Sequence, residues 1–121
     1  MFTITVETHF KASHQLVLPD GSKEPAHSHD WVVTTAVSSE KLDDTGVVMD
    51  FRTLREIVEN VTAELDNTAL SEVEHFRRNN PSAENVTMYI YDKLRVELPE
   101  GVELQSIKVV EEPGCSAKFA E

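Results

Sequence analysis

The sequence predicts one α+β domain over residues 1–121, a four-stranded antiparallel sheet with two helices on one face. Three observations predict it. Apolar residues alternate with period two near both ends of the chain, as in half-buried strands. The middle carries two segments of helical periodicity. The length suits one domain, and no linker, repeat or low-complexity run divides it.

In the first segment, Phe2, Ile4, Val6, Phe10 and Ala12 share one parity, and Thr3, Thr5 and Glu7 take the other. This predicts a strand over 2–12. Pro19, Asp20, Gly21 and Ser22 mark a turn. Trp31 to Val37 is rich in β-branched residues and reads as a second strand, followed by a polar connector from Leu42 to Gly46. Asp50 is a fitting N-cap for residues 51–66, where Phe51, Leu54, Val58, Val61 and Leu65 fall at helical spacing. A polar loop, NTALSEVEHFRRNN, comes next. Pro81 and Ser82 open a second helix over 84–98, with Val86, Tyr89, Ile90 and Leu94 on one face. Pro99 and Gly101 end it. Residues 107–111 and 117–120 complete the order β-β-α-α-β-β. The uncovered sheet face and edges call for neighbouring subunits.

Composition narrows the partners. With 22 acidic and 11 basic side chains the formal charge is −11. That charge opposes nucleic acid and anionic membrane surfaces alike. No run approaches a membrane span, and the N-terminus lacks the pattern of a signal peptide. Cys115 is the sole cysteine, so no intrachain disulfide forms. A cytoplasmic location is the expectation.

Three histidines stand out: His14, and the pair His27 and His29. Imidazole is a strong zinc ligand. Residues two apart on a strand share a face, so His27 and His29 can meet one ion. His14 keeps the apolar parity of the first strand and can approach from beside them. Three protein ligands leave an open fourth position, the catalytic arrangement. Spacing alone leaves a second reading open, two loop histidines and one packed in the core. His9 and His75 lack such company and read as surface or packing residues, although the long loop could bring His75 near the site.

Six blocks in order, FKASHQL, HSHDW, GVVMDF, ELDNTALSEVEHF, PSAEN and VVEEP, resemble the 6-pyruvoyl-tetrahydropterin synthase family. That family includes the bacterial 6-carboxytetrahydropterin synthases of queuosine synthesis. The resemblance spans nearly the whole chain. It implies a T-fold and a homohexamer of two trimers with active sites between subunits. It implies zinc on His14, His27 and His29, and a pterin anchored by Glu111 with Ser82 nearby. A carboxylate can accept two parallel N–H bonds from a pterin edge. A salt-bridged strand-end glutamate is the plainer reading of Glu111, and Ser82 also suits a helix cap. Glu112 stands where a threonine is usual.

The chain departs from the pattern at three points. The family's basic cysteine precedes the histidine pair, yet here that stretch reads DGSKEPAH. Glu24 is the first substitute, since some members use a glutamate in this region. Lys23 accepts a proton only as the neutral amine. Both also fit as solvated loop charges. The family's Asp-His pair is here Asp66-Asn67, and an asparagine cannot shuttle a proton. The glycine between the ligand histidines is Ser28. Cys115 lies far along the chain from the missing thiol and reads as a small buried or turn residue.

The implied activity is a zinc-dependent lyase acting on 7,8-dihydroneopterin triphosphate or a related pterin. Lys11, Arg77 and Arg78 are the candidate phosphate contacts. Loss of the cysteine and histidine could select retro-aldol cleavage of dihydroneopterin instead. The alternative is a retooled or inactive pterin-binding homologue that keeps zinc and Glu111.

Overall fold

The computed structural model describes residues 1–121. Strand β1 (Phe2–His14) pairs antiparallel with β2 (His27–Ser39) in unbroken register, from Phe2 opposite Ser39 to His14 opposite His27. Helix α1 (Phe51–Thr62) follows, then a short β3 (Thr68–Ala69), helix α2 (Ala83–Leu94), and the antiparallel pair β4 (Glu103–Glu112) and β5 (Cys115–Phe119). The sheet order is β3-β1-β2-β4-β5. The α+β class stands, with five strands rather than the expected four.

The extra strand has a local cause. After α1, Asn67 adopts a left-handed backbone, φ 59°. Its N–H donates to the Lys11 carbonyl at 2.6 Å, and the Asp66 carboxylate accepts from the Lys11 N–H at 2.9 Å. The chain is thereby laid along the outer edge of β1, where β3 pairs in parallel. The rest of the expected polar loop forms two 3₁₀ turns, Leu70–Glu72 and Glu74–Arg77, pinned by buried Leu70 and Phe76.

Both helix starts follow the sequence reading. The Asp50 carboxylate accepts from the Arg52 N–H, and the Ser82 hydroxyl accepts from the Asn85 N–H. Both helices end four residues earlier than periodicity predicts, at Thr62 and Leu94. Leu65, just past α1, is still fully buried. Phe51 is 56% exposed despite its place in the apolar pattern.

The core lies between the helices and one sheet face. Trp31, Val33, Leu54, Val58, Ile90, Leu94, Ile107 and Val109 are fully buried there. Each such side chain contributes roughly 1.5–3 kcal/mol when removed from water. The strand parity is as expected: Val6, Phe10, Ala12 and His14 are buried, and Thr5, Glu7, His9 and Lys11 are exposed. No helix is long and apolar enough to cross a membrane.

The strands reach further than predicted, and this positions the site. β1 continues to His14 and β2 begins at His27. The candidate ligands therefore sit on paired strand ends rather than in loops.

Candidate active site

His14 and His27 are direct cross-strand partners, and His29 lies opposite Ala12. Their rings stand edge to face, with centroids 4.5–5.1 Å apart. Trp31 closes the inner side at 5.0 Å from His14 and 5.8 Å from His29. The Trp31 indole is fixed by stacking on Phe10 and by donating to the Ala12 carbonyl at 3.1 Å. A rigid apolar wall thus orients the imidazoles.

Two outer contacts set the tautomers. His14 Nδ1 lies 2.8 Å from the Pro81 carbonyl, and His27 Nδ1 lies 3.1 Å from the Pro25 carbonyl. A carbonyl only accepts, so each Nδ1 carries a proton, and in the neutral ring each Nε2 presents its lone pair to the cluster. The two Nε2 atoms are 3.0 Å apart. His29 Nε2 is shielded from solvent and has no hydrogen-bond partner. Burial lowers the His29 pKa, against the opposing pull of the Glu111 carboxylate. Neutral imidazoles with converging lone pairs are what a zinc ion requires. The donor set fits that metal.

Glu111, near the end of β4, joins them. Its carboxylate oxygens lie 3.3 Å from His14 Nε2 and 3.7 Å from His29 Nε2. One ligand atom from each of His14, His27, His29 and Glu111 falls within a group 4.8 Å across. Glu111 also lines a cavity of about 240 Å³ with Leu16, Ser82, Glu84 and Cys115. Ser82 is therefore both helix cap and cavity wall. The sequence reading missed Glu84 as a wall residue, although it stands in the PSAEN block that carries the resemblance.

The candidate bases part company. Glu24 is half-buried and accepts from the Leu16 N–H at 3.3 Å, which ties it to a residue of that cavity wall. Lys23 is exposed, bridges to Val17, and lines a separate cavity of about 200 Å³ with Arg77, Ser71 and Asn80. Asp66 is exposed and holds the Lys11 N–H at the β1 edge. It lies outside the four-residue group. Lys11 and Arg78 are exposed. His75 packs against Phe76 and Tyr89, 5.0 Å from each ring, rather than joining the other histidines. His9 is exposed, near Glu7 and Asp30. Cys115 is exposed at the start of β5, not buried, because the turn at Pro113 and Gly114 lifts it onto the cavity rim. Desolvation and the adjacent Glu112 carboxylate push its thiol pKa up.

A family model described as 6-pyruvoyl tetrahydropterin synthase matches residues 3–121. The chain belongs to the 6-pyruvoyl tetrahydropterin synthase family. It is 30% identical over 102 residues to the dihydroneopterin monophosphate aldolase of Pyrococcus furiosus, covering 84% of this chain and 82% of that one. It is 29% identical over 129 residues to the 6-carboxy-5,6,7,8-tetrahydropterin synthase of Synechocystis sp., covering 98% and 93%. Among solved structures, Caenorhabditis elegans 6-pyruvoyl tetrahydropterin synthase superposes with a TM-score of 0.87 at 22% identity, covering 99% of this chain and 95% of that one. The T-fold expected from the sequence is the fold of this family member. The chain carries no thiol in the stretch that precedes His27.

Proposed function

We propose that this member of the family is a zinc-dependent lyase that cleaves the side chain of a 7,8-dihydroneopterin, free or phosphorylated, by a retro-aldol reaction. The observation that carries the reading is the convergence of three imidazole rings beside a cavity walled by Glu111, Glu84 and Ser82. Zinc held by His14, His27 and His29 supplies Lewis acidity toward the side-chain hydroxyls.

The chain's own residues supply the rest. The pterin ring occupies the cavity, where a wall carboxylate accepts the amino and ring N–H donors. Glu111 is the residue expected there, and Glu84 offers a second carboxylate on the same wall. Glu24 takes the proton of the 2′-hydroxyl. The bond between C1′ and C2′ breaks, and C2′ leaves as the carbonyl carbon of a two-carbon aldehyde. The electron pair stays on C1′, delocalised toward C6 and N5, and C1′ takes back a proton to leave a 6-hydroxymethyl group. Lys23 and Arg77, which share a cavity with no acidic lining residue, suit a phosphorylated tail.

Asp66 lies outside the histidine group, at its own protomer's β1 edge. Its exposure suits a contribution to a neighbouring subunit's site, as in the hexamer of two trimers implied by the resemblance. Cytoplasmic location fits the single cysteine and the acidic composition.

A second reading, loss of triphosphate to give a pyruvoyl or carboxy product, is favoured by the similarity to the Synechocystis synthase. A third, a pterin-binding homologue without turnover, rests on the missing cysteine and histidine. One experiment separates them. Zinc-loaded protein is incubated with dihydroneopterin, its monophosphate and its triphosphate, and products are identified by mass. A 6-hydroxymethyl pterin supports the aldolase. A tetrahydropterin with a retained carbonyl side chain favours the synthase. No product above the protein-free control leaves only the binding role.

A further inference from the structure

The histidine cluster presents a problem of charge. The Nδ1 atoms of His14 and His27 face the Pro81 and Pro25 carbonyls, which turns both Nε2 atoms into the cluster. Glu111 adds two more acceptor oxygens at 3.3 and 3.7 Å. One ligand atom from each of His14, His27, His29 and Glu111 lies within 4.8 Å of the others, an arrangement that a shared cation holds together. No lysine or arginine supplies it, for the ion pairs of Glu111 are with the histidines alone.

The spacing identifies the cation's geometry. Ligands about 2.0–2.1 Å from zinc at tetrahedral angles lie about 3.3 Å from one another. The separations here are 3.0 Å between His14 Nε2 and His27 Nε2, 3.3 Å between Glu111 Oε1 and His14 Nε2, and 3.7 Å between Glu111 Oε2 and His29 Nε2, with every pair within 4.8 Å. They scatter about the tetrahedral edge. Either carboxylate oxygen is therefore within reach of the position that three histidines alone would leave open.

We propose that Glu111 is the fourth ligand of the resting centre, which is closed in the absence of substrate and opens when a hydroxylated ligand displaces the carboxylate. The inference rests on the zinc reading above and deepens it. Glu111 also forms part of the cavity wall, so the displaced carboxylate remains beside the incoming ligand. The displaced carboxylate can then accept a hydrogen bond from that ligand's hydroxyl. A closed centre also keeps water from the metal until substrate arrives.

Full-length protein loaded with cobalt(II) in place of zinc tests this, with azide as the displacing probe and visible absorption as the readout. The parent spectrum should resist azide, while Glu111→Gln should shift with it at low concentration. Competition with a chelator should show zinc affinity about tenfold weaker or more in Glu111→Gln. Glu112→Gln, a change at the exposed neighbouring carboxylate, should match the parent in both assays. A parent that answers azide as readily as Glu111→Gln, with equal zinc affinities, overturns the fourth ligand and leaves the three-histidine centre standing. A parent that binds neither zinc nor cobalt in stoichiometric amount removes the centre itself, and the proposal with it.

Discussion

Replacing His27 by alanine should separate the metal from the fold. His27 is exposed, and its Nδ1 bond is to a carbonyl two residues away. Its ring also lies 3.0 Å from His14 Nε2, so its loss should cost the zinc-free fold no more than about 1 kcal/mol. Zinc is different. A ligand at 100 times its dissociation constant stabilises the folded state by about 2.7 kcal/mol. For a domain of this length, 1 kcal/mol moves the melting temperature by roughly 4 °C. The parent should therefore gain about 10 °C from such a zinc concentration, and His27→Ala should gain little. His14→Ala makes the contrast. His14 is 3% exposed, and its removal strands the buried Pro81 carbonyl. That costs about 1–3 kcal/mol even without metal. Calorimetry with and without zinc, alongside metal analysis of the purified variants, reads both effects. An equal zinc shift in the parent and in His27→Ala would refute the ligand assignment.

Three further outcomes follow from the geometry. Glu24→Gln should retain zinc but slow product formation by about a hundredfold or more, the scale of a lost general base; an unchanged rate in single-turnover assays would exonerate Glu24. Trp31→Phe removes the indole bond to the Ala12 carbonyl and part of the wall behind the imidazoles. It should cost about 1–3 kcal/mol in denaturant unfolding, and a loss below about 0.5 kcal/mol would contradict the packing described. Cys115 should react slowly with a bulky maleimide at neutral pH and faster as pH rises, because its thiol pKa is raised. The labelled protein should keep zinc but lose pterin binding, since Cys115 rims the cavity. Full pterin affinity after labelling would place the pterin elsewhere.

The sequence made legible whatever depends on periodicity and caps. Strand parity placed His14 on the buried face, and the spacing of His27 and His29 placed both toward it. Asp50 and Ser82 marked both helix starts. The helix ends were not legible, because Leu65 continues the apolar period after the hydrogen-bonded helix has stopped. β3 was invisible for a similar reason. Two residues carry no period, and what holds them is the contact of Asp66 and Asn67 with Lys11, far away in sequence. Cavity walls are also tertiary. Glu84, Cys115 and Leu16 come from three separate segments, and only the fold brings them to one surface.

Position 67 shows how the frame outlasts a change of chemistry. The resemblance puts a histidine there, and this chain has asparagine with φ 59°. Asparagine and histidine are both among the residues that enter the left-handed region most readily. The substitution therefore preserves the turn, the 2.6 Å bond to Lys11 and the docking of β3, while removing a ring that could relay protons. The stretch before His27 has likewise lost its thiol. Around the cavity the remaining groups for proton transfer are carboxylates, Glu24, Glu84 and Glu111, with one thiol of raised pKa. Such a set suits a reaction that removes one hydroxyl proton and returns one to carbon. Retro-aldol cleavage asks only that. Formation of a pyruvoyl side chain expels triphosphate and moves protons at both C1′ and C2′, which asks for a longer relay than these groups form. The surviving backbone and the lost side chains thus argue in the same direction, toward a shorter proton path on an inherited frame.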